Sequence, residues 1–336
     1  MSDPVVQTAQ RLADELLFPA ALETDAAARV PEHLLRALAD AGLFGLVGAR
    51  EHGGLELALG SAGTFSDVVE ALASGCLATT FVWVQHHFAV HALATSDSPE
   101  GVALAREWSP WLCAGTRRAG LALSGSRPGP DPLRARPAPG GWQLDGRVPW
   151  MTGWTLVDAV LATARTSGQR ALGAWLDPIE SDSLRATPQR LVATNASCSV
   201  ELQFHAHFVP HERVIALAPY VPPPAYDGGG RSNGSLALGV ARRACRLIGP
   251  SPLDAELDAR RAQLDSSSDE TLAVARAAAV ELSLRASAAL ITHQGSRSIV
   301  AGSHAQRLAR EALFLLVFGS RPAIKQALLG ELGAGG

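Results

Sequence analysis

The chain has 336 residues, of which 47% are hydrophobic, 18% charged and 5% aromatic. This length allows one large domain or two to three smaller ones, and the net charge of −3 gives no general attraction to nucleic acid or anionic lipid. The start of the chain is acidic and amphipathic, unlike a signal peptide, and no uncharged apolar run is long enough to span a membrane. The four cysteines form no CxxC pair, so we expect a cytoplasmic protein with neither a metal site nor a disulfide framework.

The first third of the sequence has the periodicity of helices. Apolar residues recur at helical spacing over residues 4–24, and a second helix is predicted from Pro31 to the glycine at position 42. A glycine-rich loop follows as far as residue 57, and two further helices are predicted at about 61–75 and 78–96. Their low charge indicates that both are buried.

From about Gly120 short alternating segments replace the helical period, and Pro and Gly become frequent. Residues 140–153 are predicted to form two strands joined by a turn at Asp145-Gly146. Over residues 200–208 apolar and polar side chains alternate, which predicts a strand with one buried and one wet face. The middle third is therefore predicted to be antiparallel β-structure.

A Pro- and Gly-rich linker over residues 216–234 ends this region. Helices are then predicted at 235–248, 270–294 and 304–318, with a polar interruption before the second of them. A last helix begins around residue 322, and Ser320 is its predicted N-cap.

This order, joined to five local strings, resembles the acyl-CoA dehydrogenase superfamily of flavoproteins. The strings are LADAGLFGLVGAREHGGLEL, LALSGSRPGPD, GWQLDGRVPWMTGW, VELQFHAHFVPHERV and AQRLAREALFLLV. The resemblance implies an α+β fold: an N-terminal helical domain (1–117), a middle antiparallel β-barrel (118–216) and a C-terminal helical bundle (217–336). It also implies FAD as cofactor, an acyl-CoA or carrier-bound acyl substrate, and a homo- or hetero-oligomer, either dimer or tetramer.

The resemblance also assigns roles around the flavin. By the family pattern Trp150 packs near the flavin ring, Thr152 hydrogen-bonds around N5, and Ser124 bonds the pyrimidine edge. Donors at that edge stabilise the extra negative charge of a reduced flavin. Arg297, in a string that replaces the family's Gly-Gly-x-Gly, is expected to pair with the diphosphate.

The expected catalytic base is absent. Dehydrogenases of this family remove an α-proton with a Glu in a Y-E-G-T-like string before the final helix. In this chain Val317 stands for the Tyr and Phe318 for the Glu, while Gly319 and Ser320 keep the Gly and the hydroxyl. The alternative position used by a minority, near Gly229, offers only Asp227 close by.

A second departure follows the bundle's first helix. The family's R-x-x-F-G-like segment, which binds the FAD of a neighbouring subunit, is replaced here by RLIGPSPLDAELDARRAQLD. FAD binding is therefore expected to be weakened.

Three hypotheses remain open. The chain is a flavin oxidoreductase acting on an acyl thioester with its base elsewhere or in a partner subunit, a monooxygenase of the same fold, or a non-catalytic subunit of a heteromer. The pair His86 and His87, on an apolar helix beside the expected pocket, favours the monooxygenase because a histidine there would handle protons. Buried core histidines are the alternative interpretation, and Glu70 and Glu311 are interpreted as solvated or ion-paired residues.

Overall fold

The computed structural model describes residues 3–126, 131–221, 230–319 and 321–334. The predicted cap Ser320 and the segment with Asp227 and Gly229 lie outside these residues. None of the described helices is long and apolar enough to cross a membrane.

The chain begins with six helices. They are α1 (Pro4–Leu12), α2 (Phe18–Ala26), α3 (Glu32–Asp40), α4 (Thr64–Gly75), α5 (Leu77–Ala94) and α6 (Pro99–Cys113), with a π-helical turn (Ala13–Leu17) joining the first two. Helix α6 was not predicted, because Pro110 and several polar residues interrupt its apolar pattern. Its start is well defined: Pro99 occupies the first turn, and the Ser98 hydroxyl accepts a hydrogen bond from the Gly101 N–H at 3.0 Å.

Eight strands follow and form one mostly antiparallel sheet. They are β1 (Ala119–Ala122), β2 (Arg134–Ala138), β3 (Gly141–Met151), β4 (Ala159–Arg165), β5 (Arg170–Leu176), β6 (Leu184–Pro188), β7 (Val200–Pro210) and β8 (Val214–Pro219). Their order is β6-β7-β3-β2-β4-β5-β8, and β1 pairs with β4 in parallel. The pairings among the described residues do not join β6 to β8. Strand β8 continues past residue 216, where the boundary of the β-region was predicted, and ends at Pro219.

One predicted turn is wrong. Asp145 and Gly146 lie inside the single strand β3, where the register with β7 shifts. The shift is a β-bulge: Ala206 has a φ of 45° and donates its N–H to Asp145 at 2.7 Å. The bulge also ends the predicted alternation of β7, because Phe208 is 47% exposed instead of buried.

Five helices complete the chain. They are α7 (Gly230–Ile248), α8 (Pro252–Asp265), α9 (Leu272–Gln294), α10 (His304–Val317) and α11 (Pro322–Glu331). The unpredicted α8 is largely charged and buries only Leu257 and Leu264, so it carries no apolar stripe to detect.

The N-terminal and C-terminal helices share one hydrophobic core, and the sheet has a second. Helix α7 packs closely on α4, since a side-chain Cβ at Gly239 would come within 2.6 Å of Ala73 Cβ and of the Glu70 carbonyl oxygen. Helix α5 packs against β1, and Phe314 of α10 lies 6.3 Å, between ring centroids, from Trp150 near the end of β3.

Candidate active site

A cavity of about 220 Å³ lies between α5, the sheet and the end of α10. It is lined by Phe81, Gln85, Leu121, Leu123, Ser124, Val148, Pro149, Trp150, Thr152, Phe314, Val317, Phe318 and Gly319. Four residues predicted from sequence, Ser124, Trp150, Thr152 and Phe318, therefore meet at one cavity although they come from three separate parts of the chain.

Thr152 begins a chain of buried hydroxyl groups. Its Oγ1 accepts a hydrogen bond from Trp150 Nε1 at 3.2 Å and lies 3.3 Å from Ser199 Oγ. Ser199 Oγ in turn lies 3.0 Å from Ser197 Oγ. If each serine donates toward Thr152, the Thr152 proton remains available to an acceptor in the cavity.

Ser124 has less freedom than its predicted role requires. Its hydroxyl donates to the Arg147 carbonyl at 3.1 Å and accepts from the Leu133 N–H at 3.2 Å. The next residue, Gly125, lies so close to β4 that a Cβ there would be 2.4 Å from Ala164 Cα. Ser124 therefore fixes the loop to the sheet, and its bond to a flavin stays a prediction.

Phe318, at the position predicted for the base, lies in a cluster of three phenylalanine rings. Its ring is perpendicular to that of Phe81 at 4.8 Å between centroids and stacked on that of Phe314 at 5.5 Å. None of the described residues that line the cavity is Asp or Glu. The cavity thus has an apolar aromatic wall where the family pattern places a carboxylate.

Arg276, which sequence reasoning missed, holds the backbone of this segment. Its guanidinium is buried and donates to the Phe318 carbonyl at 2.6 Å and to the Gly319 carbonyl at 3.1 Å. A cation at this point also complements the negative end of the α10 dipole. Gly319 has a φ of +55°, which favours glycine.

The structure corrects the predicted position of the His pair. On α5, residues Phe81 and Gln85 face the cavity, and each later residue turns about 100° further around the helix. His86 and His87 consequently lie in the helical core and do not line the cavity. We therefore do not retain a catalytic role for them.

Both histidine side chains are hydrogen-bonded to backbone groups. The two ring nitrogens of His87 face the Trp83 and Leu43 carbonyl oxygens at 3.1 and 3.0 Å, and His86 Nδ1 accepts from the Ala119 N–H at 3.2 Å. Burial lowers the pKa of His87 to about 4, against the opposing effect of its two carbonyl contacts. Burial, and then the neighbouring His87, hold the pKa of His86 well below its ordinary value of 6.5.

These pKa shifts predict acid sensitivity. Because the folded state keeps His87 neutral down to about pH 4, the unfolded chain binds more protons below pH 6.5 and stability falls as the pH falls. For His87 the loss between pH 7 and pH 5 is about 2 kcal/mol. Urea unfolding of the wild type and His87→Gln at both pH values should show a smaller loss in the variant. The control His33→Gln, at an exposed site, should lose as much as the wild type; an equal loss in all three would contradict the assignment.

The remaining predicted residues lie outside the cavity lining. Arg297 is exposed in a 3₁₀ turn after α9 (Gly295–Ile299), and its role with the diphosphate stays a prediction. Glu70 is buried and paired with Arg261 at 2.7 Å instead of solvated. Glu311 is buried and paired with Arg307 at 2.5 Å. Among the residues that the structure describes, no group of three or more His, Cys, Asp or Glu side chains could hold a metal ion.

Comparison with solved structures shows that the chain has the fold of the acyl-CoA dehydrogenases, which other enzymes share. Butyryl-CoA dehydrogenase from Megasphaera elsdenii matches with a TM-score of 0.81 at 16% identity, covering 99% of this chain and 98% of that one. Dibenzothiophene monooxygenase (TdsC) from Paenibacillus sp. A11-2 matches at 0.78 and 18%, covering 98% and 97%. KijD3, in complex with FMN and a dTDP-sugar, matches at 0.79 and 19%, covering 99% and 95%.

The sequence itself matches a family model over its first third. Residues 3–116 match the family model for the acyl-CoA dehydrogenase N-terminal domain. A search of the curated proteins found no match. The fold of the whole chain confirms the α+β fold class predicted from the sequence, and the N-terminal match supports the resemblance to the superfamily.

Proposed function

We propose that this chain is a flavin-dependent oxidoreductase of the monooxygenase type, with FAD as the predicted cofactor. One observation carries the proposal: the cavity joins the Trp150–Thr152 edge to an aromatic wall at Phe318 and has no carboxylate among its described lining residues. A dehydrogenase needs a base at that wall, whereas oxygenation with a reduced flavin does not.

The residues present suit an isoalloxazine ring. Trp150 is 38% exposed and offers an aromatic surface at the cavity. Thr152 is 3% exposed, and the bond from Trp150 Nε1 orients its hydroxyl. When bound and reduced, the flavin supplies the electrons with which O₂ gives one oxygen atom to the substrate and the other to water. Trp150 would hold the ring, and the hydroxyl of Thr152 would donate a hydrogen bond to its edge.

A second candidate, dehydrogenation of an acyl thioester with a base from a partner subunit, has its own support. Val317 lines the cavity and is 72% exposed, and Leu313, one turn before it, is 51% exposed. Exposed apolar side chains beside a cavity favour coverage by another chain. Such a chain would bring a carboxylate to the cavity from outside.

The decisive test is cofactor binding followed by turnover. Purified protein is titrated with FAD and separately with FMN, the bound flavin is reduced, and oxygen uptake and oxygenated product are measured. Stoichiometric flavin with product formation supports the monooxygenase. Anaerobic bleaching of the bound flavin by butyryl-CoA would support the dehydrogenase instead. Failure to bind either flavin would overturn both and favour the non-catalytic subunit.

The hydroxyl chain gives a graded prediction for flavin binding. We expect Thr152→Val to weaken flavin binding about tenfold, Ser199→Ala a few-fold, and Ser197→Ala least, because each step is further from the cofactor. Ser197 is the matched control, since both serines are buried and lose the same atom. Flavin dissociation constants and midpoint potentials of the bound flavin check this order. Equal values for Thr152→Val and the wild type would remove Thr152 from the flavin site.

A further inference from the structure

One half of the sheet carries positive charge on its outer face. Strands β2, β3, β7 and β6 lie side by side in the order β6-β7-β3-β2, and their inner residues belong to the second hydrophobic core. These four strands contain four arginines and two acids, whereas the whole chain has a net charge of −3. The four arginines are exposed and together form the cationic face: Arg134, Arg136, Arg147 and Arg185.

The strand register sets the spacing of two of these arginines. Arg147 on β3 and Arg185 on β6 both lie opposite Gln203 of β7, which runs between them. Residues directly opposite each other project from the same face of a sheet. Because neighbouring strands are about 4.8 Å apart, the Cα atoms of Arg147 and Arg185 are separated by about 10 Å.

The acids of these strands do not neutralise the cationic face. Asp145 lies opposite Arg134, but its carboxylate accepts a hydrogen bond from the Ala206 N–H instead of forming an ion pair. Glu201 lies 3.7 Å from Arg147 Nε, and such an exposed pair contributes little. Within the residues that the structure describes, the other three arginines form no ion pair: Arg134, Arg136 and Arg185. The positive charge of this face is therefore available to a partner.

The cationic face also has an exposed aromatic residue and borders the cavity. Arg136 lies opposite Gln143, and Gln143 lies opposite Phe208, which is 47% exposed. Arginine and aromatic side chains are enriched in protein–protein interfaces. At the other end of the face, Pro149 lies two residues after Arg147, about 7 Å along β3, and lines the cavity. A molecule bound to this face would lie beside the cavity.

We propose that the cationic face docks an acidic α-helix of a partner protein beside the cavity. Carboxylates at positions i and i+7 of a helix share one side and are about 10.5 Å apart, which matches the spacing of Arg147 and Arg185. The guanidinium group binds a carboxylate in a planar, bidentate geometry. The inference goes beyond the proposed function, since it holds for any reaction that the cavity performs.

Binding of two synthetic helical peptides at low salt tests the proposal. In the striped peptide, glutamates recur at i, i+7 and i+14 along one side of an alanine-rich helix. The scattered peptide has the same composition, with its glutamates distributed around the helix. We expect the striped peptide to bind about threefold tighter, because it can pair with both arginines instead of one. The difference should vanish at about 1 M salt, where the Debye length is about 3 Å.

Charge reversal at the two arginines gives the matched comparison. Arg147→Glu with Arg185→Glu should weaken binding of the striped peptide about tenfold. The control, Arg36→Glu with Arg106→Glu, changes the net charge equally at exposed sites on α3 and α6 and should weaken binding less than about twofold. If a charge-reversed protein does not fold, the same two pairs are changed to Gln instead.

The outcomes separate docking at this face from general charge attraction. Equal losses in the two double variants, or equal binding of the two peptides, overturn the proposal. Tighter binding of a single-stranded oligonucleotide than of the striped peptide at the same salt also overturns it and assigns the face to nucleic acid. No flavin is used in these measurements, so a failure here leaves the proposed function standing, and a failure to bind flavin leaves the docking result standing.

Discussion

Phe318→Glu is expected to create acyl-CoA dehydrogenase activity where the wild type has almost none. The carboxylate would replace a ring that lines the cavity beside Phe81 and Phe314. Apolar surroundings raise the pKa of a carboxyl, which is what a base for an α-proton needs. A positioned general base contributes about 10²–10⁴-fold, so the rate of flavin bleaching by butyryl-CoA should rise by about 10²-fold or more.

Phe318→Gln is the matched control, because it has nearly the same shape as the Glu variant but cannot accept the proton. With butyryl-CoA this variant should bleach the bound flavin no faster than the wild type does. The backbone of either variant remains held by Arg276, which donates to the main-chain carbonyls of residues 318 and 319. If Phe318→Glu binds both flavin and butyryl-CoA without bleaching, the alignment of substrate and cofactor has been lost together with the base. That result would leave the monooxygenase as the better proposal.

The residues of the candidate site that could be predicted are those that belong to short sequence motifs. Trp150 lies in β3 and Thr152 just after its end, within one short sequence motif, and Phe318 lies at a break between two helices. Their positions therefore follow from local order alone. Their meeting at one cavity followed from the family resemblance. Periodicity alone could not have brought residue 124 to residue 318.

The errors have physical causes. His86 and His87 were predicted to lie beside the pocket, whereas the structure places them in the helical core. Because α5 is buried on nearly every side, its apolar pattern shows no face from which to choose. The one residue in the sequence of α5 that could have indicated which face lines the cavity was Gln85, a polar side chain one turn after Phe81. The turn at Asp145-Gly146 was mistaken for a hairpin because a bulge and a turn both favour glycine at positive φ.

Arg276 and Arg307 were missed for a different reason. Each is a charged residue within a helix, and sequence alone reads such a residue as solvated. In the structure both are 2% exposed or less. Long-range packing, which brings α9 against the end of α10, decides this burial.

The largest expected loss of stability comes from Glu311→Leu. Glu311 and Arg307 are 4% and 1% exposed in their side chains and 2.5 Å apart, and burial raises the pKa of Glu311 although Arg307 opposes it. Removing the acid leaves a buried cation without its carboxylate, which typically costs about 3–5 kcal/mol. The free energy of unfolding of Glu311→Leu, measured in urea, should fall by about this amount. Glu281→Leu, which breaks the more exposed pair with Arg285 at 2.8 Å, is the control and should cost less than about 1 kcal/mol.

The double variant Arg307→Met with Glu311→Leu decides whether the ion pair only stabilises the fold or whether Glu311 also acts as a base. Because a buried pair replaced by apolar side chains is often nearly neutral, the double variant should recover most of the stability lost by the single one. Glu311 is also the nearest acid before Phe318 on α10, two turns away and on the same side of the helix. A stable double variant that keeps the substrate-dependent flavin reaction assigns the pair to structure. A stable double variant that loses this reaction would make Glu311 the displaced base and would contradict the monooxygenase proposal.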